Sequence, residues 1–198
     1  MVQVSLGSLV AGAKAGKLVS FPTDTVPALA VLPEQGELIF AAKQRSYEKP
    51  LILLAARASQ LWSFVTGNED EYKIWHKVAN TYWPGALTLV LPASAQVPKA
   101  LFGILPVTEP RTVGIRVPDC AIAQSILEQT GPLATSSANL SGQPPLQTMS
   151  EIEAQFPNVL TLATESNKEI QQNSSPSTVA KWTGKNWQIL RQGAVKLE

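Results

Sequence analysis

Short apolar runs recur along the chain, each closed by polar or turn-forming residues, and stretches with helical spacing lie between them. Residues 17–21 and 26–32 read as strands joined by a Pro-Thr-Asp-Thr turn. Residues 51–55, opened by Pro50, form the continuous apolar run of a strand buried on both faces. Further strands are expected at 87–91 (closed by Pro92), 112–117, 133–136 and 159–162. Residues 178–182 and 187–190 flank Thr-Gly-Lys-Asn and predict a hairpin. Helical spacing marks 8–15 (ended by Gly16), 34–43, 58–65, 70–82, 122–129 (ended by Gly131) and 151–156. The 34–43 segment carries acids at its front and cations at its end, as the helix dipole favours. Residues 167–177 are polar and predict a mobile loop. The alternation predicts an α/β fold, a single-domain twisted mixed parallel and antiparallel sheet flanked by helices.

Composition narrows the class. The 198 residues suffice for one domain with a full core, and 44% hydrophobic residues exclude a disordered chain. Sixteen basic residues against 15 acidic ones exclude a globally basic nucleic-acid coat, so any polyanion must be held by a local cluster. The single Cys120 excludes a disulfide framework and a multi-cysteine zinc site, and fits a reducing cytoplasm. The single His76 lies in an amphipathic helical stretch and reads as a structural histidine, not a catalytic base. No run approaches the ~20 apolar residues of a membrane span. The first cation, Lys14, follows the N-terminal apolar stretch, against a signal peptide.

Five polar groups could carry chemistry. Phe21-Pro22-Thr23-Asp24-Thr25 puts two hydroxyls and a carboxylate directly after a strand, though these are also turn formers. Lys43, Arg45 and Lys49 place three cations in seven residues, suited to a polyphosphate or to a solvated helix end. No P-loop pattern occurs, so phosphate binding needs another architecture. On a strand, Thr112, Gly114 and Arg116 share a face. A buried Arg116 must be paired, with a ligand carboxylate or with a protein acid. Thr135-Ser136-Ser137-Ala138-Asn139-Leu140-Ser141-Gly142 offers donors to an anion, or is an ordinary polar loop. Ser177-Thr178 and Arg191 add a late hydroxyl pair and cation.

Taken in order, these pieces resemble the YrdC-like L-threonylcarbamoyladenylate synthases. The likeness runs from Lys17 to Gly193, through FPTDTV, the Lys43-x-Arg45 cluster with Pro50-Leu51-Ile52, YWPGALTLVL, TVGIRVP, TSSANLSG, PSTV and ILRQG. Trp83-Pro84-Gly85 before a Leu-Thr-Leu strand, with Ser-Ala-Asn-x-Ser-Gly, is the most specific combination.

The resemblance implies a YrdC-like domain over 8–194, without a second C-terminal domain, around a positively charged cleft. It implies formation of threonylcarbamoyl-AMP and pyrophosphate from L-threonine, bicarbonate or CO₂, and ATP, in the cytoplasm. A separate transferase would then modify tRNA adenosine, and some members also bind double-stranded RNA. By motif, Thr23, Arg116, Thr135 and Ser177 would hold L-threonine. Lys43, Arg45, Lys49, Thr112, Ser137, Asn139 and Arg191 would hold ATP. No protein nucleophile and no organic prosthetic group are implied, and Mg²⁺ would ride on the nucleotide.

Five positions depart from the family pattern. Pro27-Ala28 replaces the usual Tyr-Gly, Lys49 stands where an Asn is common, Leu54 where a His is common, and Pro145 where some members place a polar contact. These departures keep two other readings in view. One is an RNA-binding, translation-associated module with weakened catalysis, favoured also by five cations against one acid between residues 72 and 116. The other is a relative acting on a different amine.

Overall fold

The computed structural model describes residues 3–46, 50–102, 111–163 and 175–197. Ten strands form one sheet: β1 (Gln3–Val4), β2 (Val19–Phe21), β3 (Ala28–Val31), β4 (Ile52–Leu54), β5 (Leu87–Pro92), β6 (Thr112–Arg116), β7 (Leu133–Ser137), β8 (Leu160–Leu162), β9 (Thr178–Trp182) and β10 (Trp187–Arg191). Their spatial order is β1-β8-β2-β3-β7-β4-β6-β5-β9-β10. The pairs β1/β8, β2/β8, β4/β6 and β5/β9 are parallel; the remaining pairs are antiparallel.

The expected single mixed sheet is therefore present. Five helices join it: α1 (Leu6–Lys14), α2 (Glu37–Lys43), α3 (Glu69–Tyr82), α4 (Ala121–Thr130) and α5 (Met149–Gln155). Three N-termini are capped by side chains: Ser5 on α1, and capping boxes of Asn68 with Glu71 on α3 and of Thr148 with Glu151 on α5.

Side-chain alternation along each strand divides the molecule. On one face, Leu53, Leu87, Leu89, Leu91, Val113, Ile115 and Ala134 pack with Ile39 and Phe40 of α2 and Trp75 and Ala79 of α3. A smaller cluster on α5 covers Leu29. On the other face, Val19, Phe21, Ala28, Ala30 and Leu133 pack with Leu9, Val10 and Ala13 of α1 and Ala123, Ile126 and Leu127 of α4.

Two expected elements differ. Residues 58–65 form two 3-10 turns, Ala58–Gln60 and Trp62–Phe64, instead of an α-helix, with Trp62, Ala58 and Phe64 packing only partly into the core. The apolar spacing there is real, but the local helix preference is weak, and burial of Leu61 and Val65 in the core settles the segment as two tighter turns. Of the 167–177 stretch, residues 167–174 lie outside the described residues, whereas Ser177 is 4% exposed and structured. The two-residue strand β1 escaped the sequence reading because its apolar content is too small to register.

Gly193 is a point where backbone meets backbone. A Cβ there would stand 2.1 Å from the Pro176 carbonyl oxygen and 2.4 Å from the Ser177 carbonyl carbon. The Gly193 N–H also donates to Thr178 Oγ1 at 3.0 Å. Gly7, in α1, has open space around the same position. Chemical denaturation should show Gly193→Ala losing about 1–3 kcal/mol, the usual cost of overpacking. Gly7→Ala should be neutral or gain up to about 1 kcal/mol.

Candidate functional site

The helices α1 and α4 leave part of their face uncovered. There β7, β4, β6, β5 and β9 floor a cleft of about 860 Å³. The same alternation that sends Leu87, Leu89 and Leu91 into the core turns Thr88 and Val90 into the cleft. On β6, Val113 and Ile115 go to the core while Thr112, Gly114 and Arg116 face the cleft. On β9, Ala180 and Trp182 go to the core while Val179 and Lys181 face the cleft. Gly114 sits between Ile52 of β4 and Val90 of β5, and a Cβ on it would lie 2.6 Å from Ile52 Cγ2. The missing side chain keeps the floor low between Thr112 and Arg116.

Arg116 anchors one end. It is 4% exposed, and burial lowers its pKa while Asp24 beside it pushes the other way. Its Nη2 donates to Asp24 Oδ1 at 2.6 Å, its Nη1 to Thr25 Oγ1 at 3.0 Å and its Nε to the Gly85 carbonyl at 2.8 Å. The alternative of a protein acid as partner is thus realised. Each terminal nitrogen still carries a second N–H beyond these bonds. The Trp83-Pro84-Gly85 motif has a local reason: a Cβ at residue 85 would meet the Tyr82 carbonyl oxygen at 2.5 Å. The Pro-Thr-Asp-Thr turn is self-bonded, with Thr23 Oγ1 donating to the Val26 carbonyl at 2.8 Å and accepting from the Thr25 N–H at 3.2 Å.

At the other end, α2 stops at Gln44, whose left-handed backbone (φ 50, ψ 42) splits its neighbours apart. Lys43 stays behind, 1% exposed, and its ammonium donates to the Ser137 carbonyl, the Asn139 carbonyl at 2.5 Å and Asn139 Oδ1 at 3.2 Å. Arg45 reaches the cleft, donating to Ser136 Oγ and the Pro50 carbonyl, both at 3.3 Å. Ser137 Oγ donates to Asn139 Oδ1 at 2.6 Å, and Asn139 Nδ2 to the Leu140 and Gln143 carbonyls. This loop is therefore held in shape by its own amide and by Lys43.

The third wall is the β9–β10 hairpin. Arg191 donates through Nε and Nη2 to the Ser177 carbonyl and through Nη2 to Ser177 Oγ. Ser177 Oγ lies 2.9 Å from Thr88 Oγ1. Burial lowers the pKa of Arg191, and the nearby Arg116 charge lowers it further. Among the described residues, the cleft lining includes Arg45, Arg116, Lys181 and Arg191, and no carboxylate.

Of the residues singled out from sequence, Thr23, Arg45, Thr112, Arg116, Thr135, Ser137, Asn139, Ser177 and Arg191 all line this one cleft. Lys43 does not; it braces the Ser137–Asn139 loop from behind. Lys49 lies outside the described residues. Pro27, Ala28, Leu54 and Pro145, four of the departures, are also at the cleft. Thr25, Thr88 and Lys181 were not picked out as site residues. The signal for Thr88 and Lys181 was present, since strict alternation in LTLVL and TVAKW opposes them to core residues. His76 packs against Trp62, ring centroids 4.2 Å apart, as a structural residue would. Burial pushes the Cys120 thiol up, away from an activated thiolate.

Burial first, and then the Arg45 charge, lower the Lys43 pKa to about 7 from 10.5. Between these two values the folded state binds fewer protons at this site than the unfolded state. Its contribution to stability therefore rises with pH across that window and is lost as pH falls through about 7. Denaturation curves of wild type and Lys43→Met should diverge in pH dependence across the same window. Titration of Lys43 near 10.5 would show that burial does not control it.

The geometry has close counterparts. A family model for Sua5, YciO and YrdC proteins, described as "Telomere recombination", matches residues 12–193. The threonylcarbamoyl-AMP synthase of Vibrio campbellii is 33% identical over 182 residues, 90% of this chain and 93% of that protein. The threonylcarbamoyl-AMP synthase of Pyrococcus abyssi is 41% identical over 133 residues, 65% of this chain and 37% of that protein. The crystal structure of P. abyssi Sua5 complexed with L-threonine superposes with a TM-score of 0.78 at 31% identity, covering 95% of this chain. This chain spans about half of that one, 54%. E. coli YciO has the same fold, with a TM-score of 0.78 at 23% identity. With the family model covering nearly the whole sequence and a relative of almost equal length above 30% identity, the chain belongs to the Sua5/YciO/YrdC family.

Proposed function

We propose that this chain is a threonylcarbamoyl-AMP synthase, joining L-threonine, CO₂ or bicarbonate, and ATP. The observation that carries the reading is a cleft whose described lining residues include four cations and no carboxylate, one of the four being the buried Arg116 guanidinium with N–H groups to spare. Curated relatives with this name and a relative solved with L-threonine support it.

In this reading the spare N–H groups of Arg116 take the amino-acid carboxylate, beside the hydroxyls of Thr23, Thr135 and Ser177. Asp24 fixes the guanidinium plane and offsets its charge, so the amino-acid carboxylate is met by the directed spare N–H groups. Arg45, Thr112, Ser137, Asn139 and Arg191 hold the nucleotide, with Lys43 bracing the loop. The threonine nitrogen bonds to the carbon of CO₂ and releases a proton, giving a carbamate. A carbamate oxygen then bonds to the α-phosphorus as the bond from that phosphorus to the bridging oxygen breaks. Pyrophosphate leaves with the electron pair. Charge neutralisation and alignment are what the walls supply.

No group of three or more His, Cys, Asp or Glu that could cage a metal occurs among the described residues. Mg²⁺ would be carried on the phosphates of the nucleotide. The mixed anhydride would pass to a separate transferase acting on tRNA. None of the described helices is long and apolar enough to cross a membrane, and the proposed setting is the cytoplasm.

Pyrophosphate release should require ATP, L-threonine and bicarbonate together. Arg45→Ala should raise the ATP KM about tenfold or more, since a charge-assisted hydrogen bond is worth about 1.5–3 kcal/mol. Release that ignores threonine would overturn the amino-acid assignment, and RNA binding without adenylate formation would favour the RNA-module reading.

Pro27 offers the bound amino acid neither a ring face nor a hydroxyl. Pro27→Tyr should lower the threonine KM severalfold, regaining about 1 kcal/mol, the net worth of one neutral hydrogen bond. The ATP KM should stay unchanged in the same assay.

A further inference from the structure

We propose that Lys181 is an additional anion-binding residue of the cleft, gripping the β- and γ-phosphates of the nucleotide and the pyrophosphate they become. This rests on the nucleotide reading above and names the part of the ligand that this wall takes.

Three observations carry it. First, the position is set by the sheet. Lys181 pairs with Val90 on one side and Gln188 on the other, between the core residues Ala180 and Trp182, so alternation sends its side chain into the cleft. Second, no carboxylate occurs among the described lining residues. The other cations of the lining are Arg45, Arg116 and Arg191, of which Arg116 is offset by Asp24 behind it. Lys181 itself is half-buried, and among the described residues it has no hydrogen-bond or ion-pair partner. A cation added to a site that already holds like charges raises the energy of the empty protein, and an anion there relieves it.

Third, the neighbouring cation is partly committed. Val179, two residues back on the same face, pairs with Arg191 of the adjacent strand. Two residues along and one strand across is about 8–9 Å, close enough for two long cationic side chains to flank one diphosphate. Arg191 spends its Nε and Nη2 donors on Ser177, whereas all three N–H groups of Lys181 remain. Arg45 lies at Ser136 on β7, four strand spacings from β9 and so about 19 Å away across the floor. The two walls thus address different parts of a long ligand. A lysine suits the departing part, being a mobile point charge that can follow it.

The ordinary alternative is a solvated surface lysine. That reading predicts no ligand effect from removing the charge, and the two are separated by calorimetric titration of wild type, Lys181→Gln and Lys181→Arg with pyrophosphate, ATP and AMP. Thermal melts of each variant check that the fold is intact. Lys181→Gln should weaken pyrophosphate and ATP binding about tenfold while AMP, which lacks the β- and γ-phosphates, stays within about twofold. Lys181→Arg should keep most of the wild-type affinity. Unchanged pyrophosphate binding in Lys181→Gln, an equal loss for AMP, or no pyrophosphate binding by wild type overturns the proposal. If wild type binds pyrophosphate through Lys181 yet releases none from ATP, threonine and bicarbonate, the synthase reading fails and the anion site stands.

Discussion

A guanidinium removed from water must be paired or its burial is prohibitively expensive. Arg116 meets this demand by drawing three separate chain segments to one point. Asp24 and Thr25 come from the turn after β2, Gly85 from the Trp-Pro-Gly turn before β5, and Arg116 itself from the end of β6. The strands that carry the ion pair are not neighbours: β7 and β4 lie between β3 and β6. The ion pair therefore bridges over the sheet and closes one end of the cleft. Were Asp24 absent, the shape of that end and the packing of both turns would be lost together.

A second constraint works through geometry alone. Alternation along β5, β6 and β9 makes each of these strands half core and half cleft wall. A shift of any of these strands by one place would exchange its core residues for its cleft residues, Leu89 for Thr88 on β5 and Ile115 for Arg116 on β6. Core packing of Leu89, Ile115 and Ala180 thus fixes the placement of Thr88, Arg116 and Val179. The site is rigid because the hydrophobic core on its reverse side is rigid.

Much of this was legible in the chain. The strands of the sheet announced themselves by short apolar runs, and the cleft residues by ordered motifs at strand ends. What escaped notice escaped for physical reasons. Lys43 looks like a ligand cation because it precedes Arg45 by two residues; only the left-handed turn at Gln44 sends one inward and the other to the cleft. Left-handed backbone at a glutamine has no sequence signature. The partner of Arg116 was undetermined because Asp24 is 92 residues away. Residues 58–65 have helical spacing but settle as 3-10 turns, since tertiary packing overrides a weak local preference.

The strand order carries a consequence for how the protein is made. The first wall of the cleft uses residues near 23 and 45, the floor uses residues 88 to 137, and the last wall needs β9 and β10, residues 178–191. β5 acquires its parallel partner β9 only about 90 residues later, and β1 pairs with β8 158 residues away. Such distant pairings make for slow folding. On the ribosome, the growing chain must hold β5 as an unprotected edge until nearly the whole polypeptide has emerged. Nucleotide can then act as a late fold-completing ligand, stabilising the finished sheet by mass action once Ser177 and Arg191 are in place.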